Sequence, residues 1–242
     1  MGFAHGKGWG RLIDNMQELS AQHPWEQRDP RAVFRGSTHG RSCWNGTAGA
    51  IVDDGGYGGG ATGSRGSACG RRLLRQLMLA PAHAPLFDAG YSFVFLDHQP
   101  RYRLTVYAEG HLGWADRARL QLLTGSVLLM QETMCREWYA LALRPWVHYV
   151  PLEYWFGNLH AAARWAAAPQ NSAAVRAIAR NGRRFVDALL RPAAVRRYAI
   201  ALLRGYGSAL RYRVQRRAGA EAAASFLRRT KQDEEPTADT ES

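Results

Sequence analysis

The spacing of apolar residues changes repeatedly along the chain, and each change of period predicts a different element. Leu12, Met16 and Leu19 recur at helical spacing within LIDNMQEL and predict a short amphipathic helix. Arg31-Ala32-Val33-Phe34-Arg35-Gly36-Ser37 then reads as a small apolar strand running into a polar turn. Such a junction is either an ordinary strand end or a place where amides and a guanidinium hold an anion. Arg71 to Ala80 has helical periodicity and is stopped by Pro81 and Pro85. Tyr91 to Leu96 predicts a buried strand ending at Asp97-His98, and Tyr102 to Tyr107 alternates as a further strand that reaches a turn at Glu109-Gly110.

The stretch from Gly110 to Pro151 carries the densest sequence of signals. It predicts a turn, an arginine-bearing helix, an apolar strand over Gly125 to Met130, a second helix, and a strand ending at His148-Tyr149-Val150-Pro151. Beyond it a helix starts at Asn158, and another, capped by Ser172, is interrupted at Asn181-Gly182 and resumes over Phe185 to Leu190. After Pro192, the stripe Val195, Tyr198, Ala199, Leu202, Leu203 and Tyr206 predicts a packing helix, with Arg196, Arg197 and Arg204 on its solvated face. Strands alternating with helices predict an α/β fold that presents a phosphate-bearing ligand at its sheet edge.

Composition sharpens this picture in three places. A chain of 242 residues with 46% hydrophobic content suits one packed domain, and a formal net charge of +12 favours anionic partners. Cys43, Cys69 and Cys135 have no CxxC or regular His/Cys spacing, which argues against a zinc cluster and excludes a disulfide-dense scaffold. Residues 46–70 are glycine-rich and read as a disordered insertion; their formal GxGxxG at Gly58 to Gly63 is what such composition yields by chance. Asn45-Gly46-Thr47 is a sequon, the amino terminus has no hydrophobic leader core, no apolar run is long enough to span a bilayer, and the acidic end from Asp233 to Ser242 reads as disordered.

Arg117 and Arg119 lie two apart and so diverge by about 200° around a helix. Near a helix start only one can converge with the amides on a diphosphate while the other packs elsewhere. Glu132 and Glu137 follow the strand's carboxyl end, where a carboxylate either accepts ribose hydroxyls or is a solvated charge. No Asp-x-Asp occurs, so a diphosphate would be neutralised by arginines rather than by a held cation.

Seven ordered pieces resemble glycosyltransferase family 90, the capsule-associated-protein-like domain of protein O-glucosyltransferases. They are Trp25 and Arg28 with AVFRGSTHG from Ala32, Arg71 to Leu77, LDHQPRYRLTVYAEG from Leu96, GWADRARLQLLTGSVLL from Gly113, EWYALALRPWVHYVPL from Glu137, NLHAAARW from Asn158, and IARNGRRF from Ile178. The resemblance implies the Rossmann-like donor-binding lobe of a GT-B enzyme, with most of the N-terminal lobe absent. It implies a remnant over 1–24, the family domain over 25–215 with the insertion at 46–70, and a basic then acidic tail over 216–242. It further implies inverting transfer of glucose or xylose from a UDP-sugar to a hydroxyl of a protein or glycan, without metal or other cofactor, in the endoplasmic reticulum or Golgi lumen. The donor site maps onto Phe34, Arg35, Gly36, Ser37, Gly113, Arg117, Arg119, Glu137 and His148 to Pro151. The catalytic base is expected upstream, outside this chain, since Asp14 and Asp29 are the only aspartates ahead of Phe34 and neither sits in a matching motif. Two other classes stay in view: a nucleotide-sugar-binding remnant without turnover, and a basic nucleic-acid-binding protein, for which no recognition motif is present.

Overall fold

Short apolar runs bounded by turn residues become the five strands of a parallel sheet in the computed structural model, which describes residues 8–36, 43–45, 50–52, 70–90, 96–109, 117–133 and 136–211. The strands are β1 (Asp29–Arg35), β4 (Phe87–Gly90), β5 (Tyr102–Tyr107), β6 (Val127–Gln131) and β7 (Val150–Leu152), in the order β4-β1-β5-β6-β7. A separate ribbon pairs β2 (Cys43–Asn45) antiparallel with β3 (Ala50–Val52), so the β-branched Ile51-Val52 leaves the expected disordered insertion for a strand. Parallel strands need crossovers, and helices therefore cover both faces of the sheet.

One face packs Phe34, Leu104, Val106 and Leu129 against α2 (Gly70–Leu79), α4 (Leu159–Ala167) and the start of α5 (Ser172–Leu189). The other packs Tyr107 and Leu128 against α1 (Trp9–Ala21), α3 (Arg117–Leu123) and the end of α5 at Phe185 and Val186. The alternation predicted for Tyr102 to Tyr107 is what divides neighbouring side chains between these cores. The chain leaves β1 toward β4 by way of α2 and leaves β5 toward β6 by way of α3, so the winding reverses between β1 and β5.

Arg28 fastens the amino edge of this sheet. Its buried guanidinium donates to the carbonyls of His23 (2.8 Å), Thr124 (2.9 Å) and Ser20 (3.2 Å), and to the hydroxyls of Ser20 and Ser126. At the opposite flank, β7 is the outer strand and contains Pro151, whose carbonyl accepts from Asn158 Nδ2 at 3.1 Å. Asn158 Oδ1 accepts from the Glu153 amide at 2.9 Å, so this residue closes the turn into α4.

The strand expected over Tyr91 to Leu96 falls on residues 91–95, which lie outside the described residues, and on Leu96, which opens a 3-10 turn to Arg101; the described edge strand is Phe87–Gly90. Three other expectations are corrected. Between β6 and β7 no α-helix forms over 136–149, only a 3-10 turn at Ala140–Ala142; Tyr139 and Leu143 have helical spacing but are separate anchors in the core, and Pro145 disfavours helix at Arg144. Helix α5 runs unbroken through Asn181-Gly182, with Asn171 rather than Ser172 at its cap position. The third concerns α6 (Pro192–Ala209), which enters a second compact unit spanning Val195–Ser242. Its apolar stripe is largely exposed, Leu203 by 68%. Residues 212–242 lie outside the described residues.

Gly182 explains why α5 is continuous yet glycine-bearing. A Cβ there would stand 2.8 Å from the His148 carbonyl oxygen and 3.0 Å from Leu122 Cδ2. Overpacking of this kind costs about 1–3 kcal/mol, against which alanine returns about 1 kcal/mol of helix propensity. Gly182→Ala is therefore expected to lower the denaturation midpoint in urea; an unchanged midpoint would mean that α5 shifts freely along the His148 backbone.

Candidate functional site

At the carboxyl ends of β1 and β5, where the winding reverses, two arginines enter from the first turns of α2 and α3. Arg71 is only 6% exposed and its Nε donates to the Glu109 carbonyl at 2.8 Å. Arg117 Nη1 donates to the Arg35 carbonyl at 2.6 Å, and a Cβ on Gly36 would lie 3.3 Å from that same nitrogen. Glycine at position 36 thus makes the room the guanidinium occupies. Burial, followed by repulsion from Arg117, pulls the Arg71 pKa down to about 10, with Tyr107 and Glu109 opposing the shift. Burial likewise lowers that of Arg117. Among the described residues no carboxylate forms an ion pair with Arg117. A buried and a partly buried cation side by side, with the α2 amino end adding positive potential, are an arrangement that could receive an anion.

The crevice is braced by a chain of polar contacts. The Glu109 amide donates to Gln131 Oε1 at 2.9 Å, Gln131 Nε2 donates to the Tyr154 carbonyl at 2.7 Å, and Tyr154 OH donates to Glu109 Oε1 at 3.1 Å. This ring of bonds holds the ends of β5 and β6 and the segment after β7 in one geometry.

A cleft of about 450 Å³ is lined in part by Tyr107, Ala118 and Gln131, of which Ala118 follows Arg117 in the chain and Gln131 accepts from the Glu109 amide. Its volume is that of a small-ligand site, and its aromatic walls include Tyr139, Trp146 and Tyr149. Glu137 lines it and bonds to the Tyr139 phenol, whose pKa is pushed up by burial first and by the Glu137 charge second. A planar group could lie between the aromatic walls while Glu137 meets hydroxyls.

The expected site residues separate into groups. Gly36, Arg117 and Glu137 line the crevice or the cleft, and Tyr149 and Pro151 belong to the cleft wall. Phe34 is a core residue. Arg35 pairs with Asp88 Oδ1 at 2.6 Å and donates to the Asp88 carbonyl at 2.8 Å, and Tyr102 OH bonds the other carboxylate oxygen. Arg119 stacks 4.0 Å over the Trp9 ring, on the divergent course that helix geometry required. His148 turns toward Phe185 and accepts from the Arg144 amide through Nδ1 at 2.9 Å. Ser37 and Gly113 lie outside the described residues. Of the two upstream aspartates, Asp14 pairs with Arg191 and Asp29 with Arg31, the latter at the amino edge of the sheet.

Arg71, Glu109, Trp146 and Tyr154 were not singled out from the sequence. A signal existed for Arg71: a cation in the first turn of a helix opposes the macrodipole, an arrangement that makes sense when an anion completes it.

Comparison with known proteins agrees with the pattern read from the residues. The profile of Glycosyl transferase family 90 matches residues 73–239. Protein O-glucosyltransferase 3 of Mus musculus is 27% identical over 158 residues, covering 59% of this chain and 31% of that protein, and the Homo sapiens protein is 26% identical over the same length. Uncharacterized protein 035R of Invertebrate iridescent virus 3 is 36% identical over 89 residues, covering 36% of this chain and 8% of the viral protein. The chain therefore spans under a third of the length of these curated relatives.

The position of His148 yields a pH dependence. Burial first, and Arg144 second, hold its imidazole below the ordinary 6.5. Above that value both folded and unfolded chains carry it neutral and stability is unaffected; as pH falls below 6.5 the unfolded chain takes up a proton that the folded chain resists, and stability declines. His23 and His83 are lowered as well, so the contribution of His148 is the difference between two profiles. Denaturation midpoints followed from pH 7.5 to 5 should fall less steeply in His148→Asn than in the unaltered chain.

Proposed function

Because the chain belongs to glycosyl transferase family 90, we propose that its crevice holds the diphosphate of a UDP-sugar, glucose or xylose being the sugar, for transfer to a hydroxyl of a protein or glycan. The observation that carries this reading is the convergence of Arg71 and Arg117, both desolvated, on the point where the winding reverses. Ligands of open α/β sheets bind at such a point, outside the carboxyl ends of the strands. Each guanidinium donates in a planar fork that suits phosphate oxygens, and both would stabilise the charge that develops on the departing diphosphate. The cleft beyond Tyr107 would take the nucleoside, with Glu137 accepting from ribose hydroxyls. Binding is proposed to need no metal, since the two arginines supply the counter-charge.

A second reading, nucleotide-sugar binding without turnover, is favoured by the engagement of Asp14 and Asp29 in ion pairs away from the crevice. Transfer requires a general base within reach of the acceptor hydroxyl, and neither carboxylate stands there.

Calorimetric titration tests the common core of both readings. UDP should bind the chain equally in the presence and absence of EDTA. Removal of one buried partner of a charged hydrogen bond costs about 2 kcal/mol or more, so Arg117→Ala and Arg71→Ala should each weaken UDP by roughly 30-fold or more. A folded chain without affinity for UDP would overturn the reading, and release of free sugar from UDP-glucose would decide against the second one.

A further inference from the structure

Trp146 occupies a backbone conformation that bulky residues rarely adopt, with φ of 61°. Its amide donates to the Tyr149 carbonyl at 2.7 Å, and Pro145 and Tyr149 are bridged, so the chain doubles back tightly here. Glycine would form this turn without strain. The consequence of having tryptophan instead is the placement of an indole at the cleft, edge-on to Trp165 of α4 with centroids 5.1 Å apart and planes at 84°. Trp165 is itself half-buried against the core, so the edge contact fixes the Trp146 ring. Yet 51% of Trp146 stays exposed. A strained backbone thus places a half-exposed indole among the residues that line the cleft, and such outliers cluster at ligand-binding sites.

Resting on the reading of the site as a UDP-sugar pocket, we propose that Trp146 is the stacking platform for the planar base of the donor nucleotide. The lining of the same cleft also contains Tyr139 and Tyr149, together with Tyr107 and Ala118, the latter next to Arg117 in the chain. A nucleoside diphosphate spans these two chemistries in the right order, aromatic face at one end and charge at the other. Trp146 therefore acts as a binding and specificity residue through dispersion and ring quadrupole, and touches no reacting atom.

The test compares UDP with inorganic pyrophosphate on the full chain, by calorimetry, for the unaltered protein, Trp146→Gly, Trp146→Phe and Arg117→Ala. Base stacking on an aromatic ring corresponds to roughly 5- to 100-fold in affinity. The expected result is such a loss of UDP affinity in Trp146→Gly, near-retention in Trp146→Phe, and unchanged pyrophosphate affinity in both. Trp146→Gly keeps the turn, since glycine accepts the left-handed backbone, so failure to fold does not mimic loss of the platform. Unchanged UDP affinity in Trp146→Gly, with Arg117→Ala still disabling, would overturn the platform and leave the donor-site reading standing. An equal loss of UDP and pyrophosphate would show a disrupted loop and would also overturn it. Absence of UDP binding by the unaltered chain would overturn both.

Discussion

Two adjacent parallel strands, β1 and β5, lead to helices on opposite faces of the sheet, α2 on one and α3 on the other. The winding reverses between them, which is where open α/β sheets bind ligands. What this chain adds is the charge placed there: the first turns of α2 and α3 each carry an arginine, Arg71 buried and Arg117 partly buried. Burial first and the neighbouring charge of Arg117 second lower the Arg71 pKa, with Tyr107 and Glu109 opposing. The ring of bonds through Glu109, Gln131 and Tyr154 holds the ends of β5 and β6 in one geometry beside these two cations.

The second consequence of the topology is that the pocket wall needs no secondary structure of its own. Residues 136–149 cross the end of the sheet as an irregular segment, fixed by Tyr139 and Leu143 in the core, by His148 against Phe185, and by the bare backbone of Gly182 beneath the His148 carbonyl. Each anchor is a separate local contact. The intervening side chains, Trp146 among them, are left to line the cleft.

How much of this was legible in the sequence depended on whether local pattern and tertiary role agreed. Tyr102 to Tyr107 alternates because its two faces meet two cores, and its strand bounds were readable to the residue. Phe87–Gly90 pairs along the sheet edge with Asp, Ala and Gly in it, so backbone pairing with β1 makes it a strand and no side-chain period betrays it. Tyr139 and Leu143 stand four apart and imitate a helix, though Pro145 breaks the pattern. Gly182 has the look of a helix break and is instead a point of close backbone approach. In the site, the divergence of Arg117 from Arg119 follows from helix geometry, whereas the role of Arg71 depends on a crossover that no local pattern announces. Arg35 shows the converse: a motif residue with a free-looking charge that tertiary structure commits to Asp88.

The outer strand β7 has a bearing on how the domain meets other molecules. Leu152 turns its carbonyl inward to the Glu132 amide, so by alternation the nitrogen of Pro151 faces out, and it bears no hydrogen. The outward carbonyl of Pro151 is already taken by Asn158. A strand approaching this flank finds a missing donor beside an occupied acceptor, so the sheet ends where β7 ends. The flank beside the aromatic cleft is thereby unsuited to strand addition and to intermolecular growth of the sheet.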